Sequence, residues 1–113
     1  MEFAEASPEF LTRKDGVKIA CRFQSGDGPT LIFLPGYMSD MLGGKAQALS
    51  VWAKENGKPM LRLDYSGRGE SEGEFSSGSF TVWRDEVLMA IDHYTNGQVV
   101  LAGSSMGGWL MLL

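Results

Sequence analysis

Apolar and polar positions along this chain change their spacing several times, and each change marks an element. Residues 10–13 and 17–23 are strand-like runs on either side of Lys14-Asp15-Gly16. An Asp-Gly between two such runs predicts a β-hairpin. Gly26-Asp27-Gly28-Pro29 then breaks the chain. Residues 30–34 are a continuous apolar run ended by Pro35-Gly36, which suits a strand covered on both faces of a parallel sheet. A helix is expected over about 43–56, with Ala46, Leu49 and Ala53 on one face and Gly57 then Pro59 as its stop signal.

Residues 59–63 predict the next buried strand, closing on Asp64-Tyr65-Ser66-Gly67-Arg68-Gly69-Glu70-Ser71, and a polar loop runs to about Ser79. From 80 to 95, Trp83, Val87, Ala90, Ile91 and Tyr94 recur at helical spacing, with Asn96-Gly97 as the expected C-terminal cap. Residues 99–102 predict a third buried strand, turning at Gly103 into a helix over 106–113. A hairpin followed by strand-helix alternation implies a parallel sheet with right-handed crossovers and helices on both faces. The class is α/β. The last five residues are almost wholly apolar and uncapped, so the final helix is expected to be buried all round. On that ground residues 1–113 read as the N-terminal part of one domain.

Composition narrows the function classes. A chain of 113 residues with 43% hydrophobic and 21% charged residues is ordinary for a small globular domain. The net charge is −4 and the basic residues are scattered singly, which speaks against nucleic-acid binding. Glu70, Glu72 and Glu74 alternate in a Ser/Gly-rich stretch and read as a solvated loop. Cys21 is the one cysteine, so no internal disulfide is expected and a reducing compartment fits. With one histidine as well, no metal site is expected. The acidic start MEFAEASPEF does not read as a signal or transit peptide, and no apolar run approaches the roughly 18 residues of a membrane span. Together these predict a cytoplasmic protein.

The chemistry lies in Gly103-Ser104-Ser105-Met106-Gly107. A G-x-S-x-G pattern is weak alone, but here it follows a predicted buried strand and opens a predicted helix, the context in which such a serine sits on a strained turn with its Oγ exposed. Ser105 has glycines at −2 and +2 and is the candidate nucleophile; Ser104 would point elsewhere. The helix start behind Ser105 adds positive potential where an oxyanion would form. Two backbone N–H donors are expected there, those of Met106 and, in the loop after the first parallel strand, Tyr37. Glycine spacing supports neither a dinucleotide site nor a phosphate loop.

A serine hydroxyl needs a base. His93 falls near the end of the 80–95 helix, at the opposite edge of the sheet from Ser105, because a five-residue strand spans about 16 Å. It therefore reads as a surface residue, and Asp64, Asp85 and Asp92 have no histidine to orient. In this chain order the acid and base follow the serine and are expected beyond Leu113, so the 113 residues alone are expected to be inactive.

Residues 33–41, Leu63-Asp64-Tyr65-Ser66-Gly67 and Gly103 to Leu110 together resemble the α/β-hydrolases related to the mitochondrial palmitoyl-protein thioesterase that also cleaves acyl glucuronides, and their bacterial relatives. The resemblance implies the N-terminal portion of an α/β-hydrolase fold, cut after the nucleophile elbow, and hydrolysis of small-molecule or acyl-protein esters or thioesters without a cofactor. It implies Ser105 as nucleophile, the N–H groups of Tyr37 and Met106 as oxyanion donors, and residues 64–71 as scaffold. Peptidase or C–C hydrolase chemistry, or a non-catalytic binding protein on the same fold, remain alternatives because the fold hosts many functions.

Overall fold

The computed structural model describes residues 6–36 and 39–112. Strands β1 (Glu9–Thr12), β2 (Lys18–Gln24), β3 (Thr30–Leu34), β4 (Met60–Leu63) and β5 (Val99–Gly103) form one sheet in the order β1-β2-β4-β3-β5. β1 and β2 are the predicted antiparallel hairpin, and β2 runs antiparallel to β4. β3 then pairs in parallel with both β4 and β5. The first of the parallel strands in the chain is thus the middle one in space, which is what places the ends of β3 and β5 side by side.

Helices α1 (Gly44–Glu55), α2 (Phe80–Tyr94) and α3 (Met106–Leu110) cover the sheet. Alternate side chains of each strand serve opposite faces. Ile32, Leu34, Leu61 and Leu63 pack with Trp83, Val87 and Ala90 of α2 and Leu110 of α3. Phe33 and Met60 pack on the other face with Ala46 and Ala53 of α1. A short 3₁₀ turn at Phe75–Ser77 precedes α2. Ser79 caps α2, its hydroxyl accepting the Val82 N–H at 3.2 Å.

Three local expectations are corrected. The C-cap of α2 is Thr95, whose Oγ1 and N–H both bond the Ile91 carbonyl, rather than Asn96-Gly97. The threonine hydroxyl satisfies a terminal carbonyl that the glycine was expected to relieve. β5 is an edge strand among the described residues, so Val100 is 53% exposed where a strand covered on both faces was expected. α3 spans five residues, and Trp109 on it is 70% exposed. Apolar composition made that helix look buried, but covering it needs more sheet than these strands provide.

Candidate active site

β5 ends at Gly103 and α3 begins at Met106, so the whole reversal of direction falls on Ser104 and Ser105. Ser105 takes φ 55° and ψ −115° and is the one non-glycine residue at positive φ among the described residues. For an L-residue that conformation costs on the order of 1–3 kcal/mol. It persists because the turn is held on every side. The Ser104 N–H donates to the Leu34 carbonyl at 3.1 Å, and the Gly107 and Gly108 N–H groups donate to the Ser104 and Ser105 carbonyls at 2.9 Å. A Cβ on Gly103 would lie 2.4 Å from the Gly107 carbonyl carbon. Both glycines are therefore steric requirements of the turn, as the sequence pattern implied.

Ser105 is exposed while Ser104 is half-buried, and the Ser104 Oγ accepts a hydrogen bond from Lys45 Nζ at 3.3 Å. The structure thus separates the two neighbouring hydroxyls: one is held, the other presented. Ser105 opens on a groove of about 420 Å³ lined by Phe80, Met106 and Trp109, with the Phe80 and Trp109 ring centroids 6.0 Å apart. Met106 is the first residue of α3, so its N–H has no partner within the helix and lies at the helix start that follows Ser105. Tyr37, the other expected donor, lies outside the described residues. The turn leading to it is close: a Cβ on Gly36 would lie 2.8 Å from the Ser104 carbonyl oxygen and 3.2 Å from the Ser105 Cβ.

The turn after β4 is scaffold. Buried Asp64 accepts the Met41 N–H at 2.8 Å and the Glu70 N–H at 2.9 Å, tying the start of α1's approach to residues 64–71. Burial pushes its carboxyl above the ordinary range against the pull of those two N–H groups. The Ser71 hydroxyl donates to the Asp64 carbonyl and accepts the Ala20 N–H. Glu70 and Glu72 are not merely solvated: Glu70 pairs with Arg22 at 2.6 Å, and Glu72 accepts the Lys18 N–H at 3.1 Å. Both clamp the turn to β2.

Glu86 escaped the sequence reading. It is 1% exposed, accepts the Ser66 N–H at 2.8 Å and pairs with Arg13 at 2.6 Å. A signal existed, since Glu86 sits among Trp83, Val87 and Ala90 on the buried face of α2. An acid on an apolar stripe requires a partner.

His93 is exposed on the last turn of α2, its ring edge-on to Tyr94. Tyr94 stacks on Phe23, which pairs with Leu61 near the start of β4. His93 therefore lies at the entry edge of the parallel strands, whereas Ser105 lies beyond the exit of β5. The structure does not bring them together. Among the described residues, no group of three or more His, Cys, Asp or Glu could hold a metal, and no helix is long and apolar enough to cross a membrane.

A strained serine between a parallel strand and a helix, beside the loop of the neighbouring strand, can be compared directly with solved proteins. Mouse alpha/beta hydrolase domain-containing protein 10 superposes with a TM-score of 0.89 at 42% identity, covering 95% of this chain and 43% of that one. The chain carries the N-terminal part of an α/β-hydrolase fold.

An esterase from Exiguobacterium antarcticum shares this α/β-hydrolase portion at 27% identity, with a TM-score of 0.77 over 91% of the chain and 37% of the esterase. In sequence, the chain is 43% identical over 108 residues to the human protein named palmitoyl-protein thioesterase ABHD10, mitochondrial, covering 96% of this chain and 35% of the relative. The mouse protein of the same name is 42% identical over 108 residues. The chain spans about a third of the length of these curated relatives. No family model matches it. The expected cytoplasmic location is corrected, because these relatives are named mitochondrial. A single cysteine in 113 residues does not specify a compartment.

Proposed function

We propose that this hydrolase portion supplies Ser105 as the nucleophile of a serine hydrolase that cleaves acyl thioesters or esters through an acyl-enzyme. One observation carries the reading: Ser105 alone among the non-glycine described residues is held at positive φ, exposed, at the exit of a parallel strand. Strain of this kind is kept where a side chain must be presented. In the proposed reaction the Ser105 Oγ attacks the acyl carbonyl as its proton passes to a base. The carbonyl oxygen becomes an oxyanion facing the Met106 N–H, the thiolate or alkoxide departs with a proton, and water then releases the acid. Tyr37, as the second donor, rests on the sequence alone.

Substrate class follows from two supports. The relatives are named palmitoyl-protein thioesterases, and the groove at Ser105 is lined by Phe80, Met106 and Trp109, which suits an apolar acyl chain. The base and its orienting acid belong, on this reading, to the remainder of the domain. His93 is at the wrong edge of the sheet, and the 113 residues alone therefore do not turn over. A fluorophosphonate probe tests the assignment on the complete domain. Labelling should be lost in Ser105→Ala and kept in Ser104→Ala. Labelling that survives Ser105→Ala refutes the assignment, whereas efficient ester hydrolysis by the 113-residue chain, abolished by Ser105→Ala, refutes only its expected inactivity.

A further inference from the structure

Tyr65 is wholly buried in the turn after β4, its ring tilted against Trp83 at 6.0 Å between centroids. Its hydroxyl donates to the Pro35 carbonyl at 2.9 Å. A buried phenol must find a partner, and a neighbouring side chain would serve that need equally well. Here the partner is the backbone of the residue that leaves β3, thirty positions away.

The last carbonyls of β3 are thus held in succession. Leu34 accepts the Ser104 N–H, which fastens the strand end to the elbow. Pro35 accepts the Tyr65 hydroxyl, which fastens the next peptide to the core. The proline ring fixes φ at that residue, so a bond at its carbonyl removes most of the remaining rotation. Because a trans peptide points its N–H opposite to its C=O, a Pro35 carbonyl drawn toward Tyr65 turns the Gly36 N–H away from it. A Cβ on Gly36 would press on the Ser104 carbonyl and the Ser105 Cβ, so this peptide passes close to the elbow. Burial and the nearby Glu86 both push the Tyr65 hydroxyl's pKa upward, so it remains a donor.

We propose that Tyr65 is a positioning residue for the oxyanion side of the site, its hydroxyl setting the Pro35-Gly36 peptide against Ser105. The proposal rests on Ser105 being the nucleophile. Tyr65 touches neither substrate nor the reacting atoms, and its effect appears where charge develops on the carbonyl oxygen and not in ground-state binding.

The test uses the complete domain, an acyl thioester substrate, and an alkyl trifluoromethyl ketone that adds to a serine as a tetrahedral oxyanion. Tyr65→Phe keeps the ring and removes the hydroxyl. It should weaken ketone affinity and lower kcat/KM in parallel, each about tenfold, with KM within about twofold of the wild type. Met60→Ala, at the start of β4 in the core cluster that does not include Tyr65, should lower Tm and leave both quantities unmoved. The proposal is overturned if Tyr65→Phe keeps wild-type ketone affinity, if Met60→Ala loses as much, or if KM carries the whole loss. A Tyr65→Phe protein that fails to fold also overturns it, since the hydroxyl is then a requirement of the fold. Turnover that persists in Ser105→Ala removes the underlying assignment instead, so the two failures are told apart.

Discussion

Gly107 lies so close to the end of β3 that a Cβ on it would sit 2.0 Å from the carbonyl oxygen of Leu34. The elbow and the neighbouring strand are therefore in backbone contact, and the position of Ser105 is set by a steric fit as much as by hydrogen bonds.

Gly107→Ala should accordingly destabilise the domain by about 3 kcal/mol, at the upper end of ordinary overpacking because the obstacle is backbone. Gly44→Ala is the matched control: it is the first residue of α1, and a Cβ there meets nothing within 4 Å. That change should stabilise by about 0.5 kcal/mol through the unfolded chain. Urea denaturation of the two variants measures the difference, and equal effects would mean that the elbow yields.

Relief of the strain at Ser105 should be visible too. Ser105→Gly removes the side chain that opposes φ 55° and should raise the unfolding free energy by about 1 kcal/mol, after allowing for the flexibility of glycine in the unfolded state. Ser105→Ala keeps a Cβ and should not. Thermal melts of both variants distinguish them.

The Arg13–Glu86 pair joins the hairpin turn to α2, and Glu86 also holds the Ser66 N–H. Glu86 is buried while the Arg13 side chain is 23% exposed, so losing either partner leaves a carboxylate or an amide poorly satisfied. A double-mutant cycle with Arg13→Met and Glu86→Leu should give a coupling energy of about 1.5 kcal/mol. Additive single effects would show that the pair contributes nothing as a pair.

Cys21 is fully buried, and burial pushes its thiol up to about 12 from an ordinary value of 9.0. Between those values the folded state holds a proton that the unfolded state has released. Stability assisted by this group is therefore complete below pH 9 and is lost as pH rises toward 12, by at most about 1.4 kcal/mol per pH unit. Cys21→Ala should flatten that part of the stability profile measured by urea denaturation between pH 8 and 10. The native thiol should also resist an aromatic disulfide reagent until the protein unfolds.

The sequence by itself determined the elements and the presented serine. The Asp15-Gly16 hairpin, the apolar run of β3, the periodic face of α2 and the glycines around Ser105 are short-range patterns whose physics is complete within a few residues. Period, turn chemistry and steric need do not depend on what lies across the fold. Only the tertiary structure decided that β3 lies between β4 and β5, which brings the Gly36 turn close to Ser105 and leaves β5 at the edge of the sheet among the described residues, with Val100 exposed. It also decided the partners of the charges. Arg13 meets Glu86 from 73 positions away, and Arg22 meets Glu70 from 48. Nothing near Glu70 or Glu86 in the chain encodes those meetings, because a charge is satisfied by whatever the strand order brings within reach.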